Sequence, residues 1–65
     1  MKNMRETIIE MVIDIFDRIG IATPSNFDEI VTFIYNDVNK IADPINFDVD
    51  DVNFSFRNWV EKRTV

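Results

Sequence analysis

Apolar residues recur every three or four positions along the first part of the chain, which is the period of an amphipathic α-helix. Acidic residues fall on the opposite side of the same stretch. Gly20 follows directly, and glycine most readily takes the left-handed conformation that closes a helix. We therefore predict a first helix over residues 3–19. Its apolar positions are Met4, Ile8, Met11, Val12, Ile15, Phe16 and Ile19.

A second stretch with the same period follows a short polar turn. Either Thr23 or Ser25 can cap the start of a helix there, because a hydroxyl accepts a hydrogen bond from a free backbone N–H. Pro44 ends the stretch, since the residue before a proline is disfavoured in the helical conformation. The prediction is a second helix over residues 25–42. Its apolar positions are Phe27, Ile30, Val31, Ile34, Val38, Ile41 and Ala42.

The third stretch has the clearest start. Asp48 is a predicted N-cap with Asp51 three positions on, as in a capping box, and Phe47 and Val52 stand where a hydrophobic staple needs them. Basic residues in the last turn suit the helix dipole. The prediction is a third helix over residues 48–63. Its apolar positions are Val49, Val52, Phe56, Trp59 and Val60.

Three amphipathic helices with short connections predict an all-α fold, a compact antiparallel three-helix bundle. The 65 residues are enough for one small domain, residues 1–65, and 46% of them are hydrophobic, as in a folded protein. Isoleucine, valine and phenylalanine also favour strands, but the period of these stretches is helical rather than alternating.

The amino-acid composition excludes most common catalytic mechanisms. The chain has no cysteine or histidine, so it lacks thiolate nucleophiles, disulfides and the commonest general base and metal ligand. Its single glycine rules out a glycine-rich phosphate loop. We expect a protein that is not an enzyme, binds no cofactor and no metal, and works in the reducing cytoplasm.

Membrane and nucleic-acid roles are also disfavoured. No apolar stretch reaches the roughly 20 residues that span a bilayer, and Glu6, Glu10 and Asp14 interrupt the apolar core that a signal peptide needs. The 12 acidic residues exceed the 7 basic ones, which gives a net charge of −5. This charge opposes direct binding to nucleic acid or to an anionic membrane surface.

The acidic run at residues 48–51 invites two further interpretations, and both fail. An EF-hand loop needs glycine at its sixth position and glutamate at its twelfth, but counting from Asp48 these are Asn53 and Trp59. A helix-turn-helix would present this same acidic helix start to DNA. The carboxylates are better explained as charge at a helix N-terminus.

The apolar arc of the first helix is wider than one buried stripe requires. On a helical wheel Ile9 and Ile13 lie roughly 100–140° from the centre of the main stripe, and Phe54 lies off the stripe of the third helix. Either the other helices cover these residues, or they form an exposed patch that binds a second copy or another protein. In the second case Ile9, Ile13 and Phe54 are the predicted partner-binding residues, with Arg57 at the rim.

The outer side of the first helix carries a row of carboxylates: Glu6, Glu10, Asp14 and Asp17. Steps of three or four residues set these charges about 5–6 Å apart along the axis. Such a row is usually a solvated surface that keeps a protein soluble. The alternative is mimicry of a phosphate backbone by an inhibitor, for instance a viral one, that occupies the basic site of a nucleic-acid-binding protein. The first hypothesis for function remains a non-enzymatic protein-binding or regulatory module that docks an apolar helix surface onto itself or a protein partner.

Overall fold

Three packed α-helices make up the fold, as predicted. The structure is a computed structural model that describes residues 3–41 and 46–63, except for the side chain of Ile41. The helices are α1 (Met4–Ile19), α2 (Phe27–Ile41) and α3 (Val49–Arg63). The predicted three-helix bundle is therefore confirmed, and no strand occurs in the described ranges.

Both ends of α1 follow from local chemistry. Asn3 is the N-cap, and its Oδ1 accepts a hydrogen bond from the backbone N–H of Glu6 at 2.8 Å. At the other end Gly20 takes the left-handed conformation, with φ of 76°. The N–H of Gly20 donates to the carbonyl of Asp17, and the N–H of Ile21 donates to that of Phe16. This pair of bonds is a Schellman motif, which confirms the predicted end of the helix.

The start of α2 differs from both predicted alternatives. The helix begins at Phe27, and the backbone N–H of Ile30 donates to the carbonyl of Asn26 at 3.2 Å. Asn26 therefore occupies the N-cap position, in place of Thr23 or Ser25. The bond is made by the backbone carbonyl of Asn26, and asparagine and serine are equally common at this position, so local sequence alone does not separate neighbouring candidates. The predicted end of the helix at Ala42, before Pro44, lies outside the described residues.

The capping box of α3 is present as predicted. One carboxylate oxygen of Asp48 accepts hydrogen bonds from the N–H groups of Asp50 and Asp51, at 3.0 and 3.2 Å. The carboxylate of Asp51 accepts in return from the N–H of Asp48 at 3.0 Å. These bonds satisfy N–H groups that the first turn leaves free, and so they fix where α3 begins.

The apolar faces of all three helices meet in one core. Phe16 of α1 joins them, because its ring packs at 6.5 Å from that of Phe27 at the start of α2 and at 5.4 Å from that of Phe56 in α3. Such tilted and edge-on pairs are the favoured aromatic geometries. The buried core residues are Ile8, Val12, Phe16, Ile30, Val31, Ile34, Val38, Val52 and Trp59.

Helices α2 and α3 pack antiparallel and are joined near the C-terminal end of α3. The ring of Phe33 packs edge-on against Trp59 at 5.6 Å. The guanidinium of Arg63 lies 3.4 Å from the centre of the Trp59 ring, and its Nη2 donates to the Glu29 carboxylate at 2.7 Å. A cation over an aromatic face is attracted to the ring electrons, so this cluster ties the last turn of α3 to the first turns of α2.

The buried side of α3 is rotated from the predicted stripe. Val49 and Val60 are 41% and 43% exposed, whereas Ser55 is fully buried. Ser55 lies on the same side of α3 as Asn58, whose amide donates to the Asp37 carboxylate of α2 at 3.2 Å. The rotation therefore turns α3 toward α2, where the small serine side chain fits. A pattern based on apolar residues alone could not find this position.

Candidate interaction surface

Phe54 lies on the side of α3 that faces away from the bundle. On a helical wheel it is about 130° from the centre of the buried side, which Val52, Ser55 and Trp59 form. Its side chain is 54% exposed, although phenylalanine is normally among the more buried residues. The core does not cover this ring, so of the two alternatives that the sequence left open, Phe54 takes the exposed one.

Three charged side chains lie on the same face as Phe54: Glu61, near the end of α3, and two of opposite sign that flank the ring. Arg57 and Asp50 are both exposed, and their positions on the wheel fall within about 60° of that of Phe54. Neither side chain makes an ion pair or hydrogen bond to another described residue; only the backbone N–H of Asp50 is bonded, to Asp48. We call Asp50, Phe54 and Arg57 the α3 outer face.

The α1 residues of the predicted patch behave differently from one another. Ile9 is half-buried and packs against the core, so it belongs to the covered set that the sequence also allowed. Ile13 is 45% exposed. Its outer neighbours one turn before and after are Glu10 and Asp17, both exposed.

Ile13 and Phe54 are exposed on different helices, α1 and α3. Phe54 points away from the other two helices, whereas Ile13 lies on α1 beside the flank that Ile9 packs into the core. That Ile9, Ile13, Phe54 and Arg57 bind a partner stays a prediction, and Ile9 is the member of this set that packs against the core. Only Phe54 and Arg57 share a face.

The carboxylate row of α1 is exposed along its whole length. Glu6, Glu10, Asp14 and Asp17 are all exposed, and they fall within about 80° on the helical wheel. Asp14 is paired with Arg18, one turn on, at 2.9 Å between Oδ2 and Nε. Most of that ion pair is in contact with solvent, so its contribution to stability is small, but it offsets one of the four charges.

Two further exposed apolar residues lie at the end of α1, and the sequence pattern did not predict their exposure. Ile19 and Ile21 are 54% and 55% exposed, on either side of Gly20. Ile19 was predicted to face the core, but it is the last residue of its helix, and the Schellman turn carries the chain away there.

The rest of the described chain offers little site chemistry. Within residues 3–41 and 46–63 there is no pocket, no group of three or more acidic residues placed to hold a metal ion, and no helix long and apolar enough to cross a membrane. Comparison with protein-family models, with curated proteins and with solved structures finds no match to this chain.

Proposed function

We propose that this chain is a non-enzymatic protein-binding module that docks the α3 outer face onto a protein surface. The observation that carries this proposal is the position of Phe54, more than half exposed on the side of α3 opposite the core. Phe54 is not among the residues that pack against the core, and a docked surface would cover its exposed half.

The size of the ring gives the scale of this contribution. A phenylalanine side chain buries roughly 150–250 Å² when fully covered, so covering the exposed half of Phe54 removes about 100 Å² from water. At about 25 cal/mol per Å² this is roughly 2–3 kcal/mol, enough for a hot spot and too little for a tight complex alone. Arg57 and Asp50 would supply the charged rim that sets orientation and partner choice.

Site-specific photo-cross-linking tests this proposal. A photoreactive p-benzoylphenylalanine replaces Phe54 in one sample and Val60 in the other, since Val60 is a 43% exposed residue about 120° away on the same helix. Both are irradiated in extracts of cells that produce the chain. We expect an adduct from position 54 only, suppressed by excess wild-type protein and not by Phe54→Ala. Equal adducts from both positions, or none from position 54, would overturn the proposal.

The acidic row supports a second candidate function, an inhibitor that occupies the basic site of a nucleic-acid-binding protein. The supporting observation is the unbroken exposure of Glu6, Glu10, Asp14 and Asp17. Backbone mimicry requires that binding weakens steeply with salt, whereas apolar docking is nearly indifferent to it. A complex captured on the immobilised protein and eluted in a salt gradient separates the two. If detergent releases the bound protein and salt does not, the inhibitor hypothesis is rejected.

A further inference from the structure

We propose that the α3 outer face binds a second copy of this chain, with the two α3 helices antiparallel across a two-fold axis. The inference rests on the proposed function, because it names the occupant of the same surface. A two-fold contact must be self-complementary, so each group has to meet its opposite in the other copy. Asp50, Phe54 and Arg57 have this property, whereas Glu61 falls opposite position 46, beyond the start of the other α3.

The arithmetic of the helix shows the complementarity. Asp50 and Arg57 are seven positions apart, which is about 10.5 Å along the axis and close to two turns, so they share a face. An antiparallel pair centred midway between them places Asp50 of each copy opposite Arg57 of the other. Phe54 is half a residue from that centre, so the two rings come within about 1.5 Å of the same height. Two ion pairs then flank an aromatic pair.

The charges of the α3 outer face are available for this contact. Asp50 and Arg57 are too far apart to pair with each other, and neither side chain is bonded to another described residue. Glu61 lies one turn beyond Arg57, but the two side chains form no ion pair. On a helix, an ion pair between residues four positions apart is weaker when the cation precedes the anion.

The outer side of α1 lacks the same property. Asp17 is an exposed outer neighbour of Ile13, and the carboxylate row lies along the same side of α1. Two copies that met there would bring like charges together, which disfavours the contact. The net charge of −5 also opposes dimerisation at every surface, so we expect weak association, with a Kd of roughly 10⁻⁵ to 10⁻³ M.

A charge-exchange experiment tests the pairing. Sedimentation equilibrium is measured for the wild type, for Asp50→Arg, for Arg57→Asp, and for an equimolar mixture of these two variants. Each variant alone faces like charges across the axis, and we expect its association to weaken by about tenfold or more. The mixture faces only opposite charges, and we expect it to associate at least as well as the wild type. Val60→Ala is the matched control and should keep the wild-type association.

Folding is controlled separately, because Asp50 lies in the favourable first turn of α3. Circular dichroism reports the helix content of each variant. Phe54→Ala keeps both charges and removes only an exposed ring, so it should lose association about tenfold while remaining folded. If Asp50→Arg unfolds, the comparison of Phe54→Ala, Arg57→Asp and Val60→Ala still decides the question.

The outcomes separate this inference from the proposed function. A wild type that stays monomeric throughout, while position 54 still cross-links to a different protein, overturns the second copy and keeps the binding module. Association that the variants leave unchanged also overturns it, because the interface then lies elsewhere. Failure of both the self-association and the cross-link overturns both proposals.

Discussion

Replacing Ser55 by alanine should stabilise the protein, although most core substitutions destabilise. Ser55 is fully buried, and its hydroxyl is the single buried side-chain polar atom among the described residues that has no hydrogen-bond partner. A hydroxyl taken out of water without a partner costs about 1–3 kcal/mol. Ser55→Ala removes that cost and leaves the rest of the helix face unchanged.

The net effect can be worked out from three contributions. Relief of the unpaired hydroxyl gives about 1–3 kcal/mol, and the better helix propensity of alanine adds up to about 0.5 kcal/mol. The space left by one oxygen atom costs a few tenths of a kcal/mol, on the order of 24 cal/mol per Å³ of cavity. We expect a gain of about 1–2 kcal/mol. For a domain of this length, that raises Tm by roughly 5–15 °C.

Urea denaturation followed by circular dichroism measures this gain. The matched control is Asn36→Ala, an exposed position in α2 where only helix propensity changes and the gain should stay below about 0.7 kcal/mol. A loss of about 1 kcal/mol in Ser55→Ala would refute the reasoning. It would show that the hydroxyl is bonded in solution, as when a helical serine donates to the carbonyl one turn before it.

Denaturation of five further variants tests the packing of α1, the end of α1 and the start of α3. Ile9→Lys should lower the free energy of unfolding by about 1–3 kcal/mol, because the Ile9 side chain packs against the core. Ile13→Lys, on the exposed side of α1, should change it by less than about 0.5 kcal/mol. Equal losses in the two variants would contradict this placement. Gly20→Ala should lower the free energy of unfolding by about 1 kcal/mol, because alanine is strained in the left-handed conformation. An added Cβ meets no atom within 4 Å, so no steric clash adds to this loss. Gly20→Asn should lose less stability, because asparagine adopts this conformation more readily. Asp48→Ala should cost about 1 kcal/mol by removing the cap of α3, and no loss would mean that another residue caps it.

Much of this fold is encoded locally, which is why the sequence predicted it well. The end of α1 at Gly20 and the capping box at Asp48 depend on residues within one turn of each other. The start of α2 was harder, because Thr23, Ser25 and Asn26 are all good caps. Which of them is used depends on how the helix lies against its neighbours.

Which side of each helix is buried depends on tertiary packing, and the sequence predicted this less well. The apolar pattern of α3 favoured Val49 and Val60, but packing against α2 buries Ser55 instead. Ile9 and Ile13 occupy similar places on the wheel of α1, yet one is packed and the other exposed. Periodicity gives the direction of a face to within a few tens of degrees, and residues at its border are decided by the neighbouring helix.

Part of the α3 outer face could be predicted from the sequence. Phe54 lies far from the predicted apolar stripe of α3, so exposure was one of the two alternatives that the sequence allowed. Asp50 was assigned only to the helix start, although its spacing of seven positions from Arg57 was present in the sequence. That spacing acquires meaning once both side chains are seen to be exposed and unpaired beside Phe54.

Isotope-filtered NOE spectroscopy tests most directly whether the α3 outer face meets the same face of a second copy. In an equimolar mixture of labelled and unlabelled protein, at a concentration where dimers form, the filtered spectrum contains only contacts between copies. We expect NOEs between the ring protons of Phe54 in the two copies, with none from the methyl groups of Ile19 and Ile21. Intermolecular NOEs that arise from those isoleucines, with none from Phe54, would contradict it.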